Sequence, residues 1–206
     1  MDRRRGTDAL PAVLRRLPAR TPGVALTFDD CDDGDAWERI LGVLAAEAVP
    51  AAFFALGMRV EQFPDAARRT VADGHAVGAH GWDHADLTEL APRDVVRRLV
   101  ADRAAWRTAG APDVVDLRPP FGRYDTATLD AAGRAGYRRV VLWDVDPRDW
   151  QLPGADRIVD RTLAACSPGS IVDLHVTGQT ADALPGLIAG LRARGLACLP
   201  PDAAGA

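Results

Sequence analysis

The sequence predicts an α/β fold with parallel strands, a distorted and incomplete (β/α)7-type barrel, and three observations lead there. Short apolar, β-rich runs alternate with stretches of helical period along most of the chain. About seven units of near-equal size fit within the 206 residues, which suits a small barrel better than the alternative, a doubly wound sheet. Polar, chemistry-bearing residues gather just after several of the predicted strands, where sites lie in parallel β/α folds.

The elements follow in order. Residues 1–22 are basic and proline-punctuated, and read as an extension with a short helix near Leu10 to Leu17 and a linker through Pro18 and Pro22. The domain proper is expected over 23–206. Val24 to Phe28 is the first strand, ending in Asp29-Asp30. Trp37, Ile40, Leu41 and Leu44 share one helical face, and Pro50 closes that helix. Ala51 to Leu56 is the second strand and Phe63 to Ala72 a helix stopped at Gly74. His75 to Ala79 is the third strand. Pro92 starts a helix whose buried stripe is Val95, Val96, Leu99, Val100 and Trp106. Val114 to Leu117, Arg139 to Trp143, Ser170 to Leu174 and Leu196 to Leu199 are the remaining strands. Between them lie helices over Thr126 to Ala135, Asp156 to Cys166 and Leu184 to Arg194. Trp37, Trp106 and Trp143 read as core, and His75 as structural.

Composition narrows the function. At 48% hydrophobic and 26% charged residues the chain is an ordinary globular protein. A net charge of -4, with arginines interleaved among acids, gives no footprint for nucleic acid. No stretch is long and apolar enough to span a membrane. No apolar leader follows the charged start, so the chain as it stands reads as cytoplasmic, or as an exported protein without its leader. Three separated cysteines, Cys31, Cys166 and Cys198, make neither a disulfide framework nor a zinc motif. Oligomeric state is not legible.

Chemistry centres on His80-Gly81-Trp82-Asp83-His84, which holds two of the chain's four histidines, four residues apart, after the third strand. Two histidines and one aspartate of the Asp29-Asp30 pair make three ligands and leave an open position on a metal ion such as zinc. The other aspartate is then free to act as a general base on water. His175, at the end of a later strand, is placed to donate a proton, with an arginine and a further aspartate to orient base and acid.

Five ordered motifs carry a resemblance: Thr27-Phe28-Asp29-Asp30, His80-Gly-Trp-Asp-His84, Arg118-Pro-Pro-Phe-Gly122, Asp149-Trp150 with Asp146 before it, and Leu174-His175. Together, across residues 23 to 200, they resemble the polysaccharide deacetylases of the NodB homology group, carbohydrate esterase family four. The resemblance implies a metal-dependent hydrolase that removes N-acetyl or O-acetyl groups from a carbohydrate. It implies Asp29 as general base, and Asp30, His80 and His84 as ligands to one divalent ion, zinc first, with cobalt or nickel as alternatives. Arg118 would hold Asp29. Asp149 would tune His175, the general acid. Trp150 would wall the acyl pocket, while Phe121, Tyr124, Leu174, Asp173 and Trp82 are the further candidates for substrate contact. The backbone N–H near Tyr124 would assist at the oxyanion.

The chain departs from that pattern at Cys31, where the family has glycine, at Gly81, where it has Ser or Thr, and at Asp173, where it has an apolar residue. These departures bear on the substrate, which is expected to be an acetylated carbohydrate or a small N-acyl compound. Trp82 is either a sugar-stacking platform or a plug on its loop. For Asp173 the two readings are a carboxyl beside the acid His175 and a structural residue turned inward and paired with an arginine or a backbone N–H. Three alternatives remain at this level: a small-molecule amidase or deformylase on the same scaffold, an inactive carbohydrate-binding relic, and a non-haem iron oxygenase. The last leaves His175 and Arg118 without a role.

Overall fold

The computed structural model describes residues 10–18, 20–111 and 113–200. Among these, eight strands pair in one parallel sheet: β1 (Ala12–Leu14), β2 (Gly23–Asp30), β3 (Ala52–Ala55), β4 (Ala76–Ala79), β5 (Asp116–Leu117), β6 (Arg139–Val141), β7 (Ile171–His175) and β8 (Ala197–Cys198). The order is β1-β6-β5-β4-β3-β2-β7, with β8 on the start of β2. Beyond β6 the chain returns to β7 through a parallel bridge, Val145 to Val172. The sheet therefore curls until its ends nearly meet, an incomplete β/α barrel.

Helices α1 (Gly34–Ala46), α2 (Gly57–Gln62), α3 (Pro64–Ala72), α4 (Pro92–Thr108), α5 (Thr126–Arg134), α6 (Ala155–Ala165) and α7 (Gly178–Ala193) cover the outside. Side chains alternate along a strand, so a curled sheet has two cores. The large outer one lies between sheet and helices, with Leu26, Phe28, Trp37, Leu41, Phe53, Leu99 and Trp106 in it. The small inner one holds Ala25, Ala52, Phe54, Val141, Ile171 and Leu17.

The N-terminal segment differs from expectation. Residues 12–14 form a strand on β6, not a helix, and Leu17, only 4% exposed, belongs to the inner core. Pro11 and Pro18 leave six residues between them, too few for a stable helix, while β6 offers a free edge. Strand and core thus begin before residue 22, the expected end of the linker.

Three helices also differ. α2 precedes the single helix expected from Phe63 to Ala72; Pro64 occupies the first turn of α3 and separates the two. α7 begins at Gly178, ahead of the expected Leu184, because the Thr177 hydroxyl caps it through the Thr180 amide, and Pro185 lies inside it. On α4, Val100 is 50% exposed and Asp102 is fully buried: the buried stripe runs Val95, Leu99, Asp102, Trp106.

Candidate active site

The site grows from the register of β2 on β7. Thr27 stands beside Asp173 and Asp29 beside His175, so four polar residues form a block on the inner face, above the apolar plug. β2 then ends abruptly. Asp30 and Cys31 take successive positive φ values of 65° and 60°, which turns Asp30 away from the strand's alternation and toward the mouth. Cys31 is buried, and burial, with the charges of Asp30, Asp29 and Asp32, pushes its thiol well up. It is therefore an apolar filler under the turn and no nucleophile.

Arg118, just past β5, enters the barrel fully buried. Its Nη1 donates to Asp29 Oδ1 (2.6 Å), Asp173 Oδ1 (2.8 Å) and Thr27 Oγ1 (2.8 Å). Its Nε and Nη2 donate to the carbonyls of Val141 (3.0 Å) and Leu142 (3.3 Å). The guanidinium lies 4.3 Å above the Phe54 ring and 5.3 Å from that of Trp143. Gly78 makes this stack possible, since a Cβ there would come within 2.4 Å of Phe54.

On the other wall, the His80 ring donates from Nδ1 to the Arg118 carbonyl (2.7 Å), because a carbonyl can only accept. In the neutral ring that fixes the tautomer and would leave Nε2 with its lone pair toward Asp30 Oδ1, at 3.3 Å; burial opposes a charge on this ring, but Asp29 and Asp30 push its pKa up. His84, also at positive φ, points its Nε2 at the same oxygen from 3.4 Å. One ligand atom from each of Asp30, His80 and His84 falls within a 4.8 Å span. Asp30 Oδ1 is buried yet has no hydrogen bond partner, an uncommon condition that a cation would relieve. Burial works against the Asp30 charge, but His80, His84 and His175 outweigh it and bring this carboxyl down to about 2. A permanently ionised carboxylate beside two imidazole nitrogens is a fitting donor set for zinc.

His175 closes the block. Its ring Nδ1 lies 2.9 Å from Asp149 Oδ1, and its backbone N–H donates to Asp149 Oδ2 at 2.7 Å, as does the Thr180 hydroxyl. Burial opposes its charge; the bond to Asp149 and the carboxylates of Asp173, Asp149 and Asp29 more than reverse that, raising His175 to about 10. These contacts favour the imidazolium over the neutral ring.

These groups share one cavity of about 450 Å³, lined by Asp29, Asp30, His80, His84, Asp173 and His175, with Phe121, Trp143, Asp146 and Trp150 around them. Phe121 and Trp150 are 57% and 54% exposed at its rim, and Phe121 sets its edge on His84 with ring centroids 4.5 Å apart. Trp143 belongs to this wall and not simply to the core, a position its apolar flanks concealed. Asp146 lines the cavity too, while Asp144 is structural, accepting from Ser170 and the Ile171 amide. Three expected contacts do not line it: Leu174 is buried in the outer core, Tyr124 packs against that core, and Trp82 packs over Gly57 as a plug.

The profile of the family described as polysaccharide deacetylase matches residues 17–140. The chain belongs to the polysaccharide deacetylase family. Among relatives of this family, a chitooligosaccharide deacetylase of Sinorhizobium fredii is 40% identical over 190 residues, 90% of this chain and 87% of that one. The solved peptidoglycan N-acetylglucosamine deacetylase Bc1960 superposes with a TM-score of 0.88 at 28% identity, covering 94% of this chain and 92% of that one. BA3943 of Bacillus anthracis, described as a CE4 family pseudoenzyme, superposes at 0.87 and 27% identity, covering 93% of this chain and 68% of that one. A polysaccharide deacetylase fold thus carries both active and inactive members. No helix among the described residues is long and apolar enough to cross a membrane.

Proposed function

We propose that this protein is a metal-dependent deacetylase that hydrolyses the N-acetyl amide of a glucosamine-containing oligosaccharide. The observation that carries the reading is the convergence, in one cavity, of the Asp30, His80 and His84 ligand atoms with Asp29 and His175. The chitooligosaccharide and peptidoglycan deacetylases among its relatives support the sugar. A pseudoenzyme reading is disfavoured because every ionisable group the reaction needs is present in the cavity.

Asp30, His80 and His84 would hold one divalent cation, which when bound supplies Lewis-acid polarisation of the acyl carbonyl. Asp29 takes the proton from the attacking water, with Arg118 fixing its carboxylate toward the cavity. His175, already protonated, gives its Nε2 proton to the nitrogen of the leaving amine, and Asp149 holds the ring throughout. Phe121 and Trp150 at the rim offer apolar faces to a sugar ring. The products are acetate and a free amine.

The test is acetate release from chitin oligomers by protein stripped with a chelator and then reloaded with zinc. Activity is expected only after reloading. Asp29→Asn and His175→Ala are each expected to lower kcat by about 100-fold or more, with metal content unchanged. Equal rates before and after reloading would exclude the metal; near-normal kcat in either variant would exclude that residue's role.

A further inference from the structure

Asp173 is unused by the mechanism above, yet it lines the cavity on β7, two residues before His175 and on the same face. It is 3% exposed. Its Oδ1 accepts from Arg118 Nη1 at 2.8 Å, and its carboxyl also pairs with that of Asp29, which together with burial pushes it well up. Arg118 has no freedom to follow if Asp173 moves, being tied to Val141, Leu142, Thr27 and Asp29 and packed on Phe54. The carboxyl is therefore a fixed polar patch in a wall whose other large members, Trp143, Trp150 and Phe121, are apolar.

Position gives that patch a meaning. An acyl carbon undergoing attack lies within reach of both Asp29 and His175, which stand side by side in the β2–β7 register. Two residues of strand, about 6.6 Å, separate His175 from Asp173. With the acyl carbon held there, its substituent would fill that interval. A methyl group there would strip water from a buried carboxyl and return no hydrogen bond, which is unfavourable. A hydroxyl on that carbon would restore one.

Building on the deacylase reading, we propose that Asp173 determines acyl selectivity, and that the preferred leaving acid is a small α-hydroxyacyl group, glycolyl in place of acetyl. The bond chemistry is unchanged: water cleaves the amide, and glycolate leaves with the same proton transfers.

The experiment compares kcat/KM for zinc-loaded protein on chitotriose bearing N-acetyl or N-glycolyl groups. A ratio within one preparation is insensitive to the folded fraction, so a merely structural role would not move it. The wild type is expected to favour glycolyl. Asp173→Leu is expected to reduce the glycolyl-to-acetyl ratio at least about tenfold, whereas Asp173→Asn, which keeps hydrogen-bonding atoms, retains the preference. A wild-type ratio below one overturns the proposal without recourse to any variant, and so does an unchanged ratio in Asp173→Leu. Failure of the wild type to release any acid from either oligomer removes the deacylase reading and this inference with it. Release with the wrong preference removes the inference alone.

Discussion

The wall proposed to bind the cation is built where β2 and β4 give way to their loops, and the wall proposed to handle protons is built on β2 and β7 around the arginine just past β5. Asp30 and His84 sit at positive φ, are only partly buried, and meet at an oxygen that has no hydrogen bond. Arg118 joins Asp29, Asp173 and Thr27 by bonds of 2.6–2.8 Å and reaches two backbone carbonyls at 3.0 and 3.3 Å, while Asp149 holds His175 at 2.9 Å. The first wall has donor atoms that a cation could complete. The second is complete from the chain's own atoms, as suits groups whose charge states must be set before substrate arrives.

Breaking the strand-borne wall should have the largest effect. Arg118→Met keeps the bulk but leaves Asp29 and Asp173 as facing buried carboxyls without a cation, at a cost of about 3–5 kcal/mol. The urea midpoint reads this directly. A loss below about 1 kcal/mol would mean that the network does not hold the barrel together.

The charge on His175 gives a subtler test. Its value rises from 6.5 to about 10 on folding, so protonated His175 stabilises the native state fully below pH 6.5. That contribution is lost progressively as pH climbs toward 10. In chelator-treated protein, stability should fall across this window by an amount on the order of a few kcal/mol. Asp149→Asn, which removes the main group opposing burial, should flatten the slope. Parallel pH profiles for the two proteins would show that Asp149 does not set the charge.

The smallest expected effect separates the two histidine ligands. His80 is anchored to the Arg118 carbonyl and buried; His84 is partly exposed and held mainly by a ring contact with Phe121. Both His80→Ala and His84→Ala should abolish stoichiometric zinc binding. Without metal, however, His80→Ala should be less stable than His84→Ala by about 1 kcal/mol, the worth of a buried hydrogen bond. Equal thermal midpoints for the two stripped variants would place both histidines in the loose wall.

Much of this arrangement was legible in the chain itself. Alternating apolar runs and helical stripes report burial locally, so β2 to β8 and most of the helices could be read from Val24-Ala25-Leu26 or from Trp37, Ile40 and Leu44 alone. The ordered motifs likewise singled out Asp29, Asp30, His80, His84, Arg118, Asp149 and His175 as candidates, and all of these but Asp149 lie at or shortly after a strand end that the periodicity marks. What needed the tertiary structure were facts about partners. β1 is a strand only because β6 lends it an edge. Trp143 lines the cavity only because the sheet curls far enough to face β6 toward β7. Asp102 reads as an ordinary polar position, yet α4 turns it inward, where burial pushes its carboxyl well up. For Asp173 the chain offered two readings, a carboxyl beside His175 in the pocket or a structural residue paired with an arginine or a backbone N–H. The structure makes it both, because Arg118, 55 residues away in sequence, ties it to Asp29 within the cavity wall. Local periodicity tells which residues are buried; which of them meet is decided by sheet order and register, and these depend on contacts between distant parts of the chain.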